Sequence, residues 1–150
     1  MKSIFSLLLA IGLTIPAFAQ TKTLVNVDKE GVGLQGYDPV AFFTDAKPVK
    51  GDQRFVSRHN GAIYFFASKD HKTAFDQNPA KYEPAFGGYC AFGVSRKKLV
   101  EVDVKAFQIV DERLLLQYSP TIRDDFNKEL KSNLARAETN WPALVEKKGK

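Results

Sequence analysis

One cysteine in 150 residues excludes an intramolecular disulfide framework and any zinc site built from two or more thiolates. Two histidines complete the soft donors, so a Cys/His catalytic pair or a soft-metal site has to draw on Cys90, His59 and His71. Ten glycines and seven prolines are too few for collagen or a low-complexity chain, and no fixed-period self-similarity is visible, so no repeat architecture is expected. HExxH, the phosphate-binding loop, the dinucleotide fingerprint and a Ser-His-Asp order are all missing. What is present is the composition of one ordinary globular domain, 44% hydrophobic, 26% charged and 12% aromatic, which must be stabilised by packing.

The only long apolar run is at the N-terminus. Lys2 supplies a positive start, Ile4 to Pro16 is nearly all apolar, and Ala17-Phe18-Ala19 has the small-x-small pattern read by a signal peptidase. Residues 1–19 are therefore expected to be a signal peptide cleaved before Gln20. The run is shorter than the ~20 residues that span a bilayer, and no cysteine stands at the cleavage point to carry a lipid. The expectation is a soluble periplasmic or secreted protein with no membrane span. The formal charge of +5 loses only Lys2 with the leader. Nucleic acid is not a partner expected of an exported chain, so the basic excess reads as solubility and attraction to anionic envelope polymers or lipids.

Local patterns predict an α+β domain: a small antiparallel sheet built from hairpins, packed with short helices and one long C-terminal helix. Residues 20–35 read as an extended lead-in, 36–142 as the domain, and 143–150 as a flexible basic tail. Asp38-Pro39 starts a helical turn through Phe43, with Asp38 as cap. Arg54–His59 and Ala62–Ala67 flank Asn60-Gly61, the strongest short-range hairpin signal. In that register Phe55 faces Phe66, Val56 Phe65, Ser57 Tyr64, Arg58 Ile63 and His59 Ala62. Ser68 caps a helix Lys69–Gln77, and Asn78-Pro79 opens a turn through Tyr82. Pro84–Ser95 reads as a glycine-rich loop, Leu99–Val102 as a strand, Asp103–Ala106 as a capped turn, and Phe107–Val110 with Arg113–Tyr118 as a second hairpin. From Ser119-Pro120 the positions Ile122, Phe126, Leu130, Leu134 and Ala137 recur at helical spacing, predicting one helix ending near Trp141-Pro142. Phe55, Val56, Tyr64, Phe65, Phe66, Phe75, Phe126 and Leu130 are expected to form one core.

Hairpin geometry separates the histidines. His59 flanks the turn, as an exposed residue, and His71 follows the far end of the strand, so the two cannot share a metal. His71 is left as the histidine able to meet Cys90, with Phe75 drawing its helix face inward. An unpaired thiol in an oxidising compartment is a liability unless it is buried, metal-bound or used, and Gly87-Gly88 before Cys90 would let a ligand approach the backbone. Asp38 and Glu83 read as caps first and acids second.

The residues Gly36-Tyr37-Asp38-Pro39-Val40-Ala41-Phe42-Phe43, Asn60 to Ser68, Phe75, Asn78-Pro79, Tyr82 and Gly87-Gly88-Tyr89-Cys90-Ala91 together resemble the YHS domain family, and more closely its exported members with a signal peptide and a GGYCA loop. The likeness runs from about Gly36 to Trp141. Short YHS modules carry DPVCGM followed by YFCSxxCxxxF and are regarded as binding metal through those cysteines. Here the three cysteine positions hold Ala41, Ala67 and His71, so the resemblance carries over only one side chain able to ligate. Cys90 belongs to the loop of the exported subgroup.

Three functions remain open on these grounds. One is a non-enzymatic binding module for copper, zinc or a small ligand at the GGYCA loop, with Tyr37, Asp38, Gly87, Gly88, Tyr89 and Cys90 contacting ligand and His71 and Cys90 as metal ligands. The second is a thiol-based redox protein using Cys90 with His71 as base, although no resolving cysteine exists in the chain. The third is a structural or interaction module for an envelope protein partner, without chemistry.

Overall fold

The computed structural model describes residues 21–150; the expected signal peptide and its cleavage point lie outside the described residues. The chain forms helix α1 (Ala41–Thr44), hairpin β1 (Asp52–His59) and β2 (Ala62–Phe66), helices α2 (Lys69–Gln77), α3 (Pro79–Tyr82) and α4 (Ala91–Ser95), hairpin β3 (Asp103–Val110) and β4 (Arg113–Gln117), and helices α5 (Pro120–Lys128) and α6 (Leu130–Lys148). The α+β class holds, with two separate two-stranded antiparallel sheets. Among the described residues no helix is long and apolar enough to cross a membrane.

Against the expectation from sequence, the chain contains an internal structural repeat. β1 and β3 are 8 residues each, β2 and β4 are 5, and α2 and α5 are 9. Their registers correspond pair for pair: Asp52 with Phe66 and Val56 with Phe65 in the first unit, Asp103 with Gln117 and Phe107 with Leu116 in the second, each with one irregularity. Asp52 and Asp103 make the same turn, each carboxylate accepting the N–H two residues on, at 2.8 and 2.9 Å. Both hairpin turns have two left-handed residues, Asn60 with Gly61 and Asp111 with Glu112, the twist that matches paired strands. Ser68 and Ser119 cap the following helices through the third N–H, and Asn78 and Glu129 break them with non-helical dihedrals.

The correspondence extends upstream. Leu34-Gln35-Gly36 and Phe86-Gly87-Gly88 each run through three consecutive positive φ angles and lead into Tyr37-Asp38 and Tyr89-Cys90. The N–H of Asp38 bonds Val49 O and that of Cys90 bonds Val100 O, at 2.8 and 3.0 Å. Few side chains match, which is why no period is visible in the sequence: turn geometry and caps constrain a handful of positions and leave the rest free.

Each unit has its own core, so the single core expected is two. Tyr64, Phe66 and Phe75 sit in the first with Leu34, Val40 and Phe42; Phe126 sits in the second with Ala85, Phe86, Ala91 and Val94, flanked by Leu130 and Trp141. Strand β4 joins them, because Leu114 and Leu116 point into the first core and Leu115 into the second. Phe42 and Phe107 add an edge-on contact at 5.0 Å between ring centroids. Val56 is 39% exposed and Phe65 half-buried, since the outer face of the first hairpin has no layer over it. Phe55 packs at the edge of the core, but the irregularity between Asp52 and Val56 removes its expected pairing with Phe66.

The C-terminal half also departs from expectation. The long helix is two helices broken at Glu129 (φ −132°, ψ 49°), where the Asn133 side chain donates to the Phe126 carbonyl at 2.9 Å. It then passes through Pro142 to Lys148, so most of the expected tail is helical. Ala137, Trp141 and Leu144 pack on the second core from both sides of the proline, which offsets the ~3 kcal/mol an interior proline costs. Lys150 exchanges two backbone hydrogen bonds with Thr23, at 2.9 and 3.0 Å. Asp103–Ala106 is strand rather than turn, Leu99–Val102 is not a strand, and α4 lies inside the expected glycine-rich loop.

Candidate functional site

Asp38 and His71 meet at the surface edge of the first unit. Asp38 does what its place before Pro39 suggested: one oxygen, Oδ1, accepts the N–H groups of Val40 and Ala41 at 2.8 and 3.4 Å. Its other oxygen accepts the Ala67 N–H at 2.8 Å and faces His71 Nδ1 at 2.6 Å. The carboxylate side chain is 0% exposed and the imidazole 21%. Ser68 sets the first turn of α2 by accepting the His71 N–H at 3.1 Å, which aims the ring back toward Asp38 across 33 residues of chain.

The donor directions follow from this geometry. A carboxylate only accepts, so Nδ1 carries the hydrogen and Nε2 is the atom turned outward. Nε2 lies 3.4 Å from Thr44 Oγ1, but that hydroxyl donates to Asp45 Oδ1 at 2.7 Å. In the neutral ring Nε2 therefore presents a lone pair; in the charged ring it presents an N–H. A histidine held this way can accept or donate one hydrogen bond, move a proton, or ligate one ion.

The other expected residues are placed differently. Cys90 is 2% exposed and its thiol donates to Gln117 Oε1 at 3.2 Å; the same oxygen accepts the Phe92 N–H at 3.0 Å. It occupies in the second unit the position of Asp38 in the first, so His71 and Cys90 belong to different units and share no hydrogen-bond partner. Gly87 is not open to a ligand: an added Cβ would meet the Leu24 carbonyl oxygen at 2.0 Å, and Asn26 N–H bonds the Gly87 carbonyl at 2.8 Å. The close approach that the glycines permit is used by the lead-in segment of the chain itself. Gly88 holds its turn with φ 81°. Tyr37 lies under the Lys50 ammonium at 4.4 Å, whereas Tyr89 lines a separate cleft with Leu24, Leu99 and Lys148.

His59, expected to be exposed, is half-buried. Its Nε2 lies 3.1 Å from Glu83 Oε2 and its ring edge-on to Phe75 at 5.9 Å, because Glu83 follows α3 back to the hairpin turn. Thr44 and Gln117 complete the two polar clusters and were not among the expected residues. Gln117 had a signal, a polar residue in strand phase with inward Leu115; Thr44 had none.

A resident copper or zinc centre would need three or four converging donors. Among the described residues no group of three His, Cys, Asp or Glu side chains is placed to hold a metal ion, and Asp38 is fully engaged by N–H groups. The donor set does not fit a resident soft metal. No family model matches the chain, and no curated protein or solved structure does either.

Proposed function

We propose that this chain is an exported, non-enzymatic binding module of the YHS-like kind, which engages a small polar ligand or a partner's polar group through Nε2 of His71. The observation that carries this reading is the clamp at the other nitrogen: a fully buried Asp38 holds Nδ1 at 2.6 Å while Nε2 stays at the surface. A ring fixed in tautomer and direction gives up little freedom on binding. Cys90 supports a structural part instead of a thiol reaction, being buried and hydrogen-bonded to Gln117, with no second thiol in the chain.

Zn²⁺ titration followed by the imidazole resonances tests whether Nε2 is open. The expected result is weak, reversible uptake that shifts His71, survives Cys90→Ser and disappears in His71→Ala. Tight stoichiometric uptake lost in both variants would establish a His71–Cys90 metal centre and overturn this reading.

A further inference from the structure

The second unit carries a different kind of site at the place equivalent to the Asp38–His71 clamp. Cys90 stands for Asp38, Ile122 for His71 and Tyr118 for Ala67. Ile122 cannot bond across to position 90, and the Cys90 thiol turns inward to Gln117. A recess of about 390 Å³ lies there, with Cys90 in its floor and Phe92, Val100, Tyr118 and Ile122 among its walls. That volume is within the range of small-molecule sites, ~300–1,000 Å³. Tyr118 is 59% exposed, so an apolar lining faces water.

The charge around this recess has one sign. Arg96 and Lys98 line it, and no carboxylate does. Among the described residues Arg96, Lys97 and Lys98 make no ion pair, although ten other pairs are formed. Arg96 Cζ lies over the Phe92 ring, 4.2 Å from its centroid, a cation–π contact that does not consume the guanidinium N–H groups, which can fork onto a carboxylate. An apolar recess lined also by two cations without ion-pair partners is complementary to a molecule with an apolar tail and one acidic head.

We infer that the Cys90–Ile122 recess binds a long-chain carboxylate, its alkyl tail against Phe92, Val100, Tyr118 and Ile122 and its carboxylate on Arg96 and Lys98. This site is independent of His71. The tail gains by leaving water roughly in proportion to the apolar area covered, and the head selects the sign of charge.

Dodecanoate below its micelle-forming concentration is the probe, read by the Ile122 methyl resonance and by the alkylation rate of Cys90. Saturable binding that shifts Ile122 and slows Cys90 alkylation is expected, with dodecyltrimethylammonium at least about tenfold weaker and acetate without effect. Replacing both cations, Arg96→Gln with Lys98→Gln, is expected to weaken dodecanoate about tenfold, while Zn²⁺ shifts at His71 remain. Equal affinity for the anionic and cationic amphiphiles, or dodecanoate binding that leaves Ile122 and Cys90 unmoved, overturns the inference. The comparison of amphiphiles uses the wild type and so stands even if the double variant folds poorly.

Discussion

Asp38 is the residue on which most local structure converges, since it accepts from Val40, Ala41, Ala67 and His71 at once. Asp38→Asn places an amide NH₂ opposite one of these donors. It is expected to cost about 1.5–3 kcal/mol, the range for a buried hydrogen bond to a charged group, measured by urea unfolding. A loss below about 0.5 kcal/mol, the size of an ordinary surface substitution, would show that the clamp does not support the fold.

Tyrosine ionisation offers a second test at this scale. Burial, with Glu83 adding repulsion, pushes the Tyr64 phenol above its ordinary value, and burial with Glu101 does the same more modestly for Tyr89. A raised folded value favours the neutral form, so this stability is complete below about pH 10, where an unfolded tyrosine titrates, and is lost as pH rises further. Phenolate absorbance is expected to show Tyr64 ionising only together with unfolding, and Tyr64→Phe to remove that coupled step.

Among the elements, α2 is tied to β1 by Ser57, whose hydroxyl donates to Asp76 at 2.5 Å. Lys72 one turn earlier and then Ser57 hold the Asp76 carboxyl below the usual range. The sign is that of a lowered acid: its contribution is present above the ordinary carboxylate value and disappears as pH falls through the lowered one. Asp76→Asn is expected to be slightly less stable than wild type at neutral pH and equal to it in acid, the difference kept small by solvent at this exposed pair. Urea midpoints across pH measure it.

The lead-in segment depends on Gly87 in the same way that α2 depends on its cap. Gly87→Ala puts a methyl group onto the Leu24 carbonyl at a left-handed φ of 59°, and overpacking of this kind costs about 1–3 kcal/mol. Faster hydrogen exchange at the Asn26 amide is expected, because its bond to the Gly87 carbonyl must lengthen or break. Unchanged protection there would mean that the segment is held elsewhere, as by the Thr23 and Lys150 pair.

For the molecule as a whole, two cores share one strand, so they should unfold together. Phe75→Ala in the first core and Phe126→Ala in the second are each expected to cost about 3–5 kcal/mol. Trp141 flanks only the second core, yet its fluorescence should report the Phe75→Ala destabilisation in full. Transitions that differ between Trp141 fluorescence and far-UV circular dichroism would show the two units melting separately.

The sequence by itself determined what acts over a few residues. Asn60-Gly61 specified a turn with two positive φ angles, Ser68 capped α2 and Asp38 capped the turn after it, all as observed. Which hairpin face turns inward was not legible, since aromatics stand on both faces and Val56 and Phe65 were expected in the core with Tyr64 and Phe66. Tertiary structure alone decided what those pieces meet. It joined His71 to Asp38, buried Cys90 on Gln117 and laid Leu24 over Gly87, contacts between residues 27 or more positions apart. It carried α6 through Pro142, where packing outweighed a local penalty, and it exposed the repeat. A turn or a cap depends on dihedral and hydrogen-bond preferences carried by one or two residues. A pocket depends on which surfaces pack together, and many sequences satisfy the same turns while packing differently.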